Sequence, residues 1–67
     1  MTVQEQQTVN RALIDFRQDD HVEIDDLDLA LAVRRRAEDL MRSEGSMDRV
    51  TLRSTPRGGH RIERRSR

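Results

Sequence analysis

The stretch DLDLALAVRRRAEDLMRSE, residues 26–44, is the longest run of the chain whose apolar residues keep one helical phase. At about 100° per residue, six apolar side chains fall within an arc of roughly 120°: Leu29, Ala30, Val33, Ala37, Leu40 and Met41. Asp25 or Asp26 is a suitable N-cap, and Gly45 stands where a left-handed C-terminal cap would lie. The pattern predicts one continuous amphipathic helix over 26–44.

A first helix is predicted over residues 2–18. Thr2 and Glu5 have the spacing of a capping box, in which each side chain binds the other residue's backbone N–H. Four apolar residues further along share one helical face and are expected in the core: Val9, Ala12, Leu13 and Phe16. The two helices would therefore pack through apolar stripes around a common interior.

The connecting segment DDHVEIDDLD, residues 19–28, contains six acids and one histidine. Carboxylates and imidazoles bind metals. However, the segment has neither an Asp-x-Asp-x-Asp-Gly loop nor a histidine pair at helical spacing. We favour a turn, a short strand over 21–24 that buries Val22 and Ile24, and the start of the next helix. No metal site and no cofactor are predicted.

A β-hairpin is predicted after the long helix. Apolar and polar residues alternate over 48–53 and again over 60–65, and STPRGG between them is dense in turn-forming residues. Residues 66–67 would form a short tail. The chain as a whole reads as one small α+β domain over 1–67, in the order helix, short strand, long helix and β-hairpin.

Pairing Leu52 with Ile62 on the buried side of this hairpin fixes the register. Three further pairs then lie on the outer side: Arg49 with Arg65, Thr51 with Glu63, and Arg53 with Arg61. Like charges directly opposite one another are destabilising. An anion against this side would relieve the repulsion, and two candidates are the chain's own acidic segment and a polyanion such as nucleic acid.

Composition and charge narrow the classes of protein. Only 33% of the 67 residues are hydrophobic and none is cysteine, which excludes disulfides and thiolate-bound metals. The sequence has no apolar run near the ~18 residues of a membrane span and no signal-peptide pattern, so we expect a cytoplasmic protein. Two isolated histidines and no nucleophile beside a base predict that it is not an enzyme. Residues 1–48 carry a net charge of −6 and residues 49–67 a net charge of +6.

The arginine triplet in the long helix has candidate partners one helical turn away. Arg34 can pair with Glu38, and Arg35 with Asp39. Glu38 to Arg42 has the better orientation for such a pair. Arg36 has no partner at this spacing, so it is the member of the triplet most free to contact another molecule.

Four segments together resemble the winged helix-turn-helix DNA-binding domains. TVNRALIDF resembles the first helix of that family, HVEIDDL its first strand leading into the second helix, LMRSEGSMDRV the end of its recognition helix, and RSTPRGGHRIERR its wing. The resemblance implies a recognition helix in the major groove and a wing that contacts the backbone or the minor groove. The family joins its second and third helices by a turn, whereas residues 26–44 contain no Gly, Pro or Asn.

The resemblance and the charge pattern imply a small nucleic-acid-binding protein that contacts the phosphates of double-stranded DNA. Its small size suggests a transcriptional regulator of a virus or mobile element, acting in the host cytoplasm or virion. The implied binding residues are Arg35, Arg36, Arg42, Arg49, Arg53, Arg57, His60, Arg61, Arg64 and Arg65. The alternative is a viral assembly or host-protein-binding protein that uses its acidic and basic ends. Leu27 and Leu31, beside the main apolar stripe, would either widen the contact with the core or form the seam of a homodimer or higher oligomer.

Overall fold

Two helices cover one face of a three-stranded antiparallel sheet. The computed structural model describes residues 2–66, so Arg67 of the expected tail lies outside the described residues. The helices are α1 (Val3–Asp19) and α2 (Leu27–Ser43), and the strands are β1 (His21–Ile24), β2 (Arg49–Ser54) and β3 (His60–Arg65). The predicted α+β class and the order helix, strand, helix, hairpin are confirmed.

Both helices begin at the caps that the sequence predicts. At α1, the backbone N–H of Glu5 donates to Thr2 Oγ1 and that of Thr2 donates to Glu5 Oε1, each over 3.2 Å, which completes the capping box. At α2, Asp26 Oδ1 accepts from the N–H of Asp28 at 2.8 Å and of Leu29 at 3.2 Å. These bonds satisfy N–H groups that have no partner inside the helix.

Helix α2 is unbroken from its first to its last residue and ends at a glycine. Gly45 has a φ of 72°, its N–H donates to the Arg42 carbonyl, and the N–H of Ser46 donates to the Met41 carbonyl. This pair of bonds is the Schellman arrangement, which favours glycine because of the positive φ. The prediction of one continuous helix is confirmed, and within residues 27–43 no turn divides it into two.

Strand β3 lies at the centre of the sheet, in the order β1-β3-β2. The hairpin register is the predicted one, with Leu52 opposite Ile62. On the other side of β3, Val22 of β1 also pairs with Ile62. In the hairpin turn, a Cβ on Gly59 would lie 3.2 Å from Asp25 Oδ1, so the absence of a side chain there lets the turn approach the end of β1 closely.

The core forms between the helices and the inner face of the sheet. Its buried apolar members are Val9, Ala12, Phe16, Ile24, Ala30, Val33, Ala37, Met41, Val50 and Ile62. Leu13, Leu29 and Leu40 were predicted in the same core and are only partly buried at its margin. Since strand side chains alternate between faces, the apolar residues of the strands point to the helices and their polar neighbours form the outer face. Among residues 2–66, no helix has the length and apolar character required to cross a membrane.

Candidate nucleic-acid interface

Four arginines stand at the corners of a grid on the outer face of β2 and β3. We call this surface the arginine grid; its members are Arg49, Arg53, Arg61, Arg65 and, at the centre, Thr51 and Glu63. The directly opposed pairs are Arg49 with Arg65 and Arg53 with Arg61. Side chains in such pairs have Cβ atoms about 5 Å apart, and residues i and i+2 along a strand are about 7 Å apart. The grid is therefore a compact cationic surface.

The carboxylate of Glu63 lies among three of the four corner arginines. Arg61 Nε donates to Glu63 Oε1 at 2.9 Å. Arg53 Nη1 and Arg65 Nη2 are each 4.0 Å from a Glu63 oxygen, beyond hydrogen-bond distance. The Glu63 side chain is only 20% exposed, whereas those of Arg53 and Arg65 are 59% and 54% exposed. Glu63 thus binds one arginine firmly and leaves two with free donors facing solvent.

The edge strand β1 adds a second acid beside the grid. Glu23 stands opposite Arg61, and its Oε1 lies 3.5 Å from Arg61 Nη1. His21 stands opposite Glu63, and its Nδ1 lies 3.0 Å from the Asp19 carbonyl. With four arginines against two glutamates, the outer face keeps a net charge of +2 when histidine is neutral.

The repulsion that the sequence predicts between opposed arginines is partly offset inside the chain. Glu63 supplies one counter-charge at the centre of the grid, and Glu23 of the acidic segment supplies another at its edge. One of the two anions considered from the sequence, the acidic segment, is therefore already in contact with the hairpin. Exposed ion pairs are worth roughly 0.2–1 kcal/mol each, so these contacts reduce the repulsion without neutralising the surface.

The hydroxyl of Thr51 is buried and has no hydrogen-bond partner among the described residues. Thr51 shares a shallow pocket of about 270 Å³ with Arg53 and Arg65. Buried hydroxyls are satisfied in the large majority of cases, and an unsatisfied one calls for an explanation. The centre of the grid thus combines an unused hydroxyl with two arginines that hold no close hydrogen bond to Glu63.

Arg57 extends the basic surface at the hairpin tip. It is exposed in the turn between β2 and β3, and it lines a pocket of about 360 Å³ together with Glu23, Thr55 and Pro56. Because Glu23 belongs to the outer face, the tip lies at the edge of that face. Arg57 can therefore contact a ligand that rests on the grid.

His60 and Arg64 lie on the other face of β3 and do not join the grid. Arg64 Nε donates to Asp48 Oδ2, and Arg64 Nη1 is 3.9 Å from Asp20 Oδ1. This hydrogen bond raises the pKa of the Arg64 guanidinium, partial burial acts in the opposite direction, and the nearby acids add to the increase. Since the pKa of Arg64 is raised in the folded state, the contribution of its guanidinium is present at neutral pH and is lost as the pH rises into strong alkali.

The α2 arginines lie on the helical side of the sheet, and Arg34 and Arg42 share a pocket at the β2 edge with two residues of the grid, Arg49 and Thr51. Arg34 Nε is 3.1 Å from Glu38 Oε1, as predicted. The predicted pairs of Arg35 with Asp39 and of Glu38 with Arg42 are wrong, because Asp39 Oδ1 instead lies 3.6 Å from Arg42 Nη1. Within residues 2–66, Arg35 and Arg36 are exposed and make no ion pair. The ten predicted binding residues are thus spread over separate surfaces.

The sequence interpretation missed Glu63 as the organiser of the outer face. Its signal was present, because residues 61, 63 and 65 of one strand share a face. The contact of Glu23 with Arg61 had no comparable signal, since it depends on β1 pairing with a strand nearly forty residues later. In the part of the chain that the structure describes, no group of three or more His, Asp or Glu residues is arranged to hold a metal ion.

Comparisons with protein-family models, with curated proteins and with solved structures give no match for this chain.

Proposed function

We propose that the protein binds double-stranded nucleic acid by laying the arginine grid against the phosphate backbone. The observation that carries this proposal is the pair of directly opposed arginines at each end of the grid. Such pairs cost stability in the free protein. When a chain of phosphates lies across these pairs, their positive charges favour binding, because counterions are released from the nucleic acid.

The proposed contact is to phosphates and not to bases. The single aromatic residue of the sequence, Phe16, is fully buried in the core and cannot stack on a base. Arginine pairs with phosphate oxygens through two parallel N–H groups, which suits a backbone ligand. Phosphate contacts fix position without carrying sequence information. We therefore expect binding with little dependence on nucleotide sequence.

The winged-helix resemblance stays a prediction from the sequence. The undivided α2 departs from the family's pattern, and its arginines lie on the helical side of the sheet. Regulation of transcription in a virus or mobile element, and a location in the host cytoplasm or virion, remain predictions from the sequence.

Binding of a labelled random-sequence duplex, followed by fluorescence anisotropy between about 50 and 300 mM salt, tests the proposal. If the four corner arginines neutralise phosphates, the logarithm of the association constant should fall against the logarithm of salt with a slope of about −3.6. A duplex that fails to bind at the lowest salt, or a slope near zero, would contradict it.

A second candidate is self-association, which the exposure of two leucines on α2 favours. Leu27 and Leu31 lie one turn apart and are 49% and 45% exposed. By helical spacing both share a face of α2 with Arg34 and Glu38, and those two residues line a groove with residues 48–51 at the β2 edge. The charge-based form of assembly has less support, because Glu23 and Asp20 already contact arginines of their own chain.

Sedimentation analysis of the wild type and of a Leu27→Ser, Leu31→Ser double variant tests this second candidate. A dimer that becomes monomeric in the variant is the expected result. A monomeric wild type at about 100 μM, a concentration at which an association worth about 6 kcal/mol would be visible, would exclude it.

A further inference from the structure

Thr51 is the one residue of the outer face whose polar group is buried without a partner in the described structure. It lies at the centre of the grid, opposite Glu63 and in one pocket with Arg53 and Arg65. Leaving a buried hydroxyl unpaired lowers the stability of the folded protein. A valine would fill the same volume on a strand without this cost, so the hydroxyl has no structural use here.

We infer that the centre of the grid is a seat for a single phosphate group, and that Glu63 is its intramolecular competitor. In this site the phosphate accepts hydrogen bonds from the Thr51 hydroxyl and from the free guanidinium donors of Arg53 and Arg65. Because that hydroxyl is buried in the free protein, the exposed arginine side chains that share its pocket move aside as the phosphate enters. The inference rests on the proposed function and goes further, because it names the residues that receive one phosphate and the residue that opposes it.

The distances around Glu63 explain why a phosphate can displace it from two arginines. Its oxygens reach Arg61 at 2.9 Å but stay 4.0 Å from both Arg53 and Arg65. A carboxylate tethered to the central strand cannot move closer to all three cations at once. A phosphodiester carries its charge on two oxygens and is untethered, so it can bridge the two arginines with bidentate hydrogen bonds.

Because Glu63 competes with the phosphate, removing its charge should raise the affinity for DNA, whereas removing an arginine of the grid should lower it. Removing the Glu63 charge without changing its shape frees Arg53 and Arg65 for the ligand and removes a like charge from beside it. Glu63→Gln should therefore bind duplex DNA more tightly than the wild type, roughly 3- to 10-fold at 100 mM salt, which is the effect of one nearby charge worth about 1 kcal/mol. The increase should shrink as salt rises, because salt screens the charge.

Glu44→Gln is the matched control for this change. Glu44 caps α2 on the helical side of the sheet and pairs with Arg17 over 3.0 Å. Both variants raise the net charge of the protein by one unit, but only Glu63→Gln changes the grid. We expect less than a twofold gain for Glu44→Gln. Equal gains in the two variants would show a general charge effect and would overturn the role of Glu63.

Thr51→Val tests the phosphate seat by removing one of its proposed hydrogen-bond donors. The valine keeps the shape and the charge but removes the hydroxyl, so we expect about tenfold weaker binding, the usual order for one hydrogen bond to a charged group. Its midpoint of urea unfolding should be equal to or higher than that of the wild type, because an unpaired buried hydroxyl is lost. Unchanged affinity, or weaker binding that simply follows a loss of stability, would overturn the seat.

A failure of the proposed function can be distinguished from a failure of the seat by titrating inorganic phosphate. Backbone amide shifts of Thr51 and Glu63 in nuclear magnetic resonance spectra should move and saturate with phosphate, and at lower concentration in Glu63→Gln. If duplex DNA does not bind but these shifts saturate, the seat exists and serves another phosphate ligand. If phosphate leaves both amides unmoved while duplex binds, the seat is wrong and the grid binds DNA in another way.

Discussion

The two faces of the sheet are built from alternate residues of the same strands, but one face is apolar and buried and the other is charged. On the inner face, Val50, Leu52 and Ile62 meet the helices and exclude water. On the outer face, their immediate neighbours are arginines, Thr51 and Glu63, which stay exposed or half-buried. The two-residue period of a strand keeps these sets apart, so a change of one position in the sequence moves a side chain from the core to the candidate binding surface.

This contrast shows how so small a domain can carry an unfavourable charge pattern. The inner face provides most of the apolar burial and therefore most of the stability, which is of the order of 3–10 kcal/mol for a chain of this length. The outer face contributes exposed ion pairs that are individually weak. Stability and affinity should consequently respond to different mutations, even at adjacent positions.

The largest effect that the contrast predicts is on the inner face. Ile62 is fully buried at the centre of β3, between Val22 and Leu52. Ile62→Ala should lower the free energy of unfolding by about 2–5 kcal/mol, because it removes buried methyl groups and leaves a cavity. Denaturant unfolding followed by circular dichroism measures this. Arg61→Ala, one residue away, loses two partly exposed ion pairs but also the repulsion with Arg53, so it should change stability by no more than about 1 kcal/mol. Similar losses of stability in the two variants would contradict the assignment of stability to the inner face.

The next largest effect is on binding, at the end of the grid where Arg53 faces Arg61. A double change of both residues to alanine should remove two phosphate contacts and make the salt slope less steep by about 1.8, with affinity at least tenfold weaker. Stability should change little, since a repelling pair is lost along with the contacts to Glu63 and Glu23. Arg11→Ala on α1, whose partner is Asp15 at 3.8 Å, is the control. An equal reduction of the salt slope in Arg11→Ala would show that binding is not confined to the outer face of the sheet.

A smaller effect is expected at the start of α2. Stability depends on the N-cap at this position, whereas DNA binding should not depend on it. Asp26→Ala should lower the free energy of unfolding by about 1 kcal/mol, because the N–H groups of Asp28 and Leu29 lose their acceptor. Asp26→Asn keeps the acceptor and changes the charge as the alanine does, so it should retain most of the stability. Duplex affinity should be nearly the same in both variants. Equal destabilisation by asparagine would assign the effect to charge rather than to capping.

Much of the fold could be predicted from sequence because its signals are local. The capping box at Thr2, the N-cap at Asp26 and the glycine at 45 each act within a few residues of the helix end they define. The hairpin register followed from one requirement, that Leu52 and Ile62 share the buried side. A two-residue period then fixed every other pair in the hairpin.

The candidate site was less predictable because it depends on contacts between distant parts of the chain. The charge pattern predicts Arg64 among the binding arginines, yet its neighbours in the structure are Asp48 and Asp20 on the opposite face. Glu23 reaches Arg61 only because β1 joins the hairpin as a third strand. Charge counts along the sequence cannot show which arginines already have partners, and that distinction decides which of them are available to a ligand.

The smallest predicted effect is at Arg35 and Arg36, and it tests the contrast most directly. Both are exposed on α2, on the side of the molecule away from the grid, and neither makes an ion pair in the described structure. Changing both to alanine should leave the salt slope for duplex binding within about 0.3 of the wild-type value. A recognition helix of the winged-helix kind would instead lose about 0.9 from its slope for each phosphate-contacting arginine removed. The same measurement on the Arg53, Arg61 double variant then shows which surface meets the nucleic acid. A loss confined to the sheet variant assigns binding to the outer face, and a loss confined to the helix variant would assign it to α2.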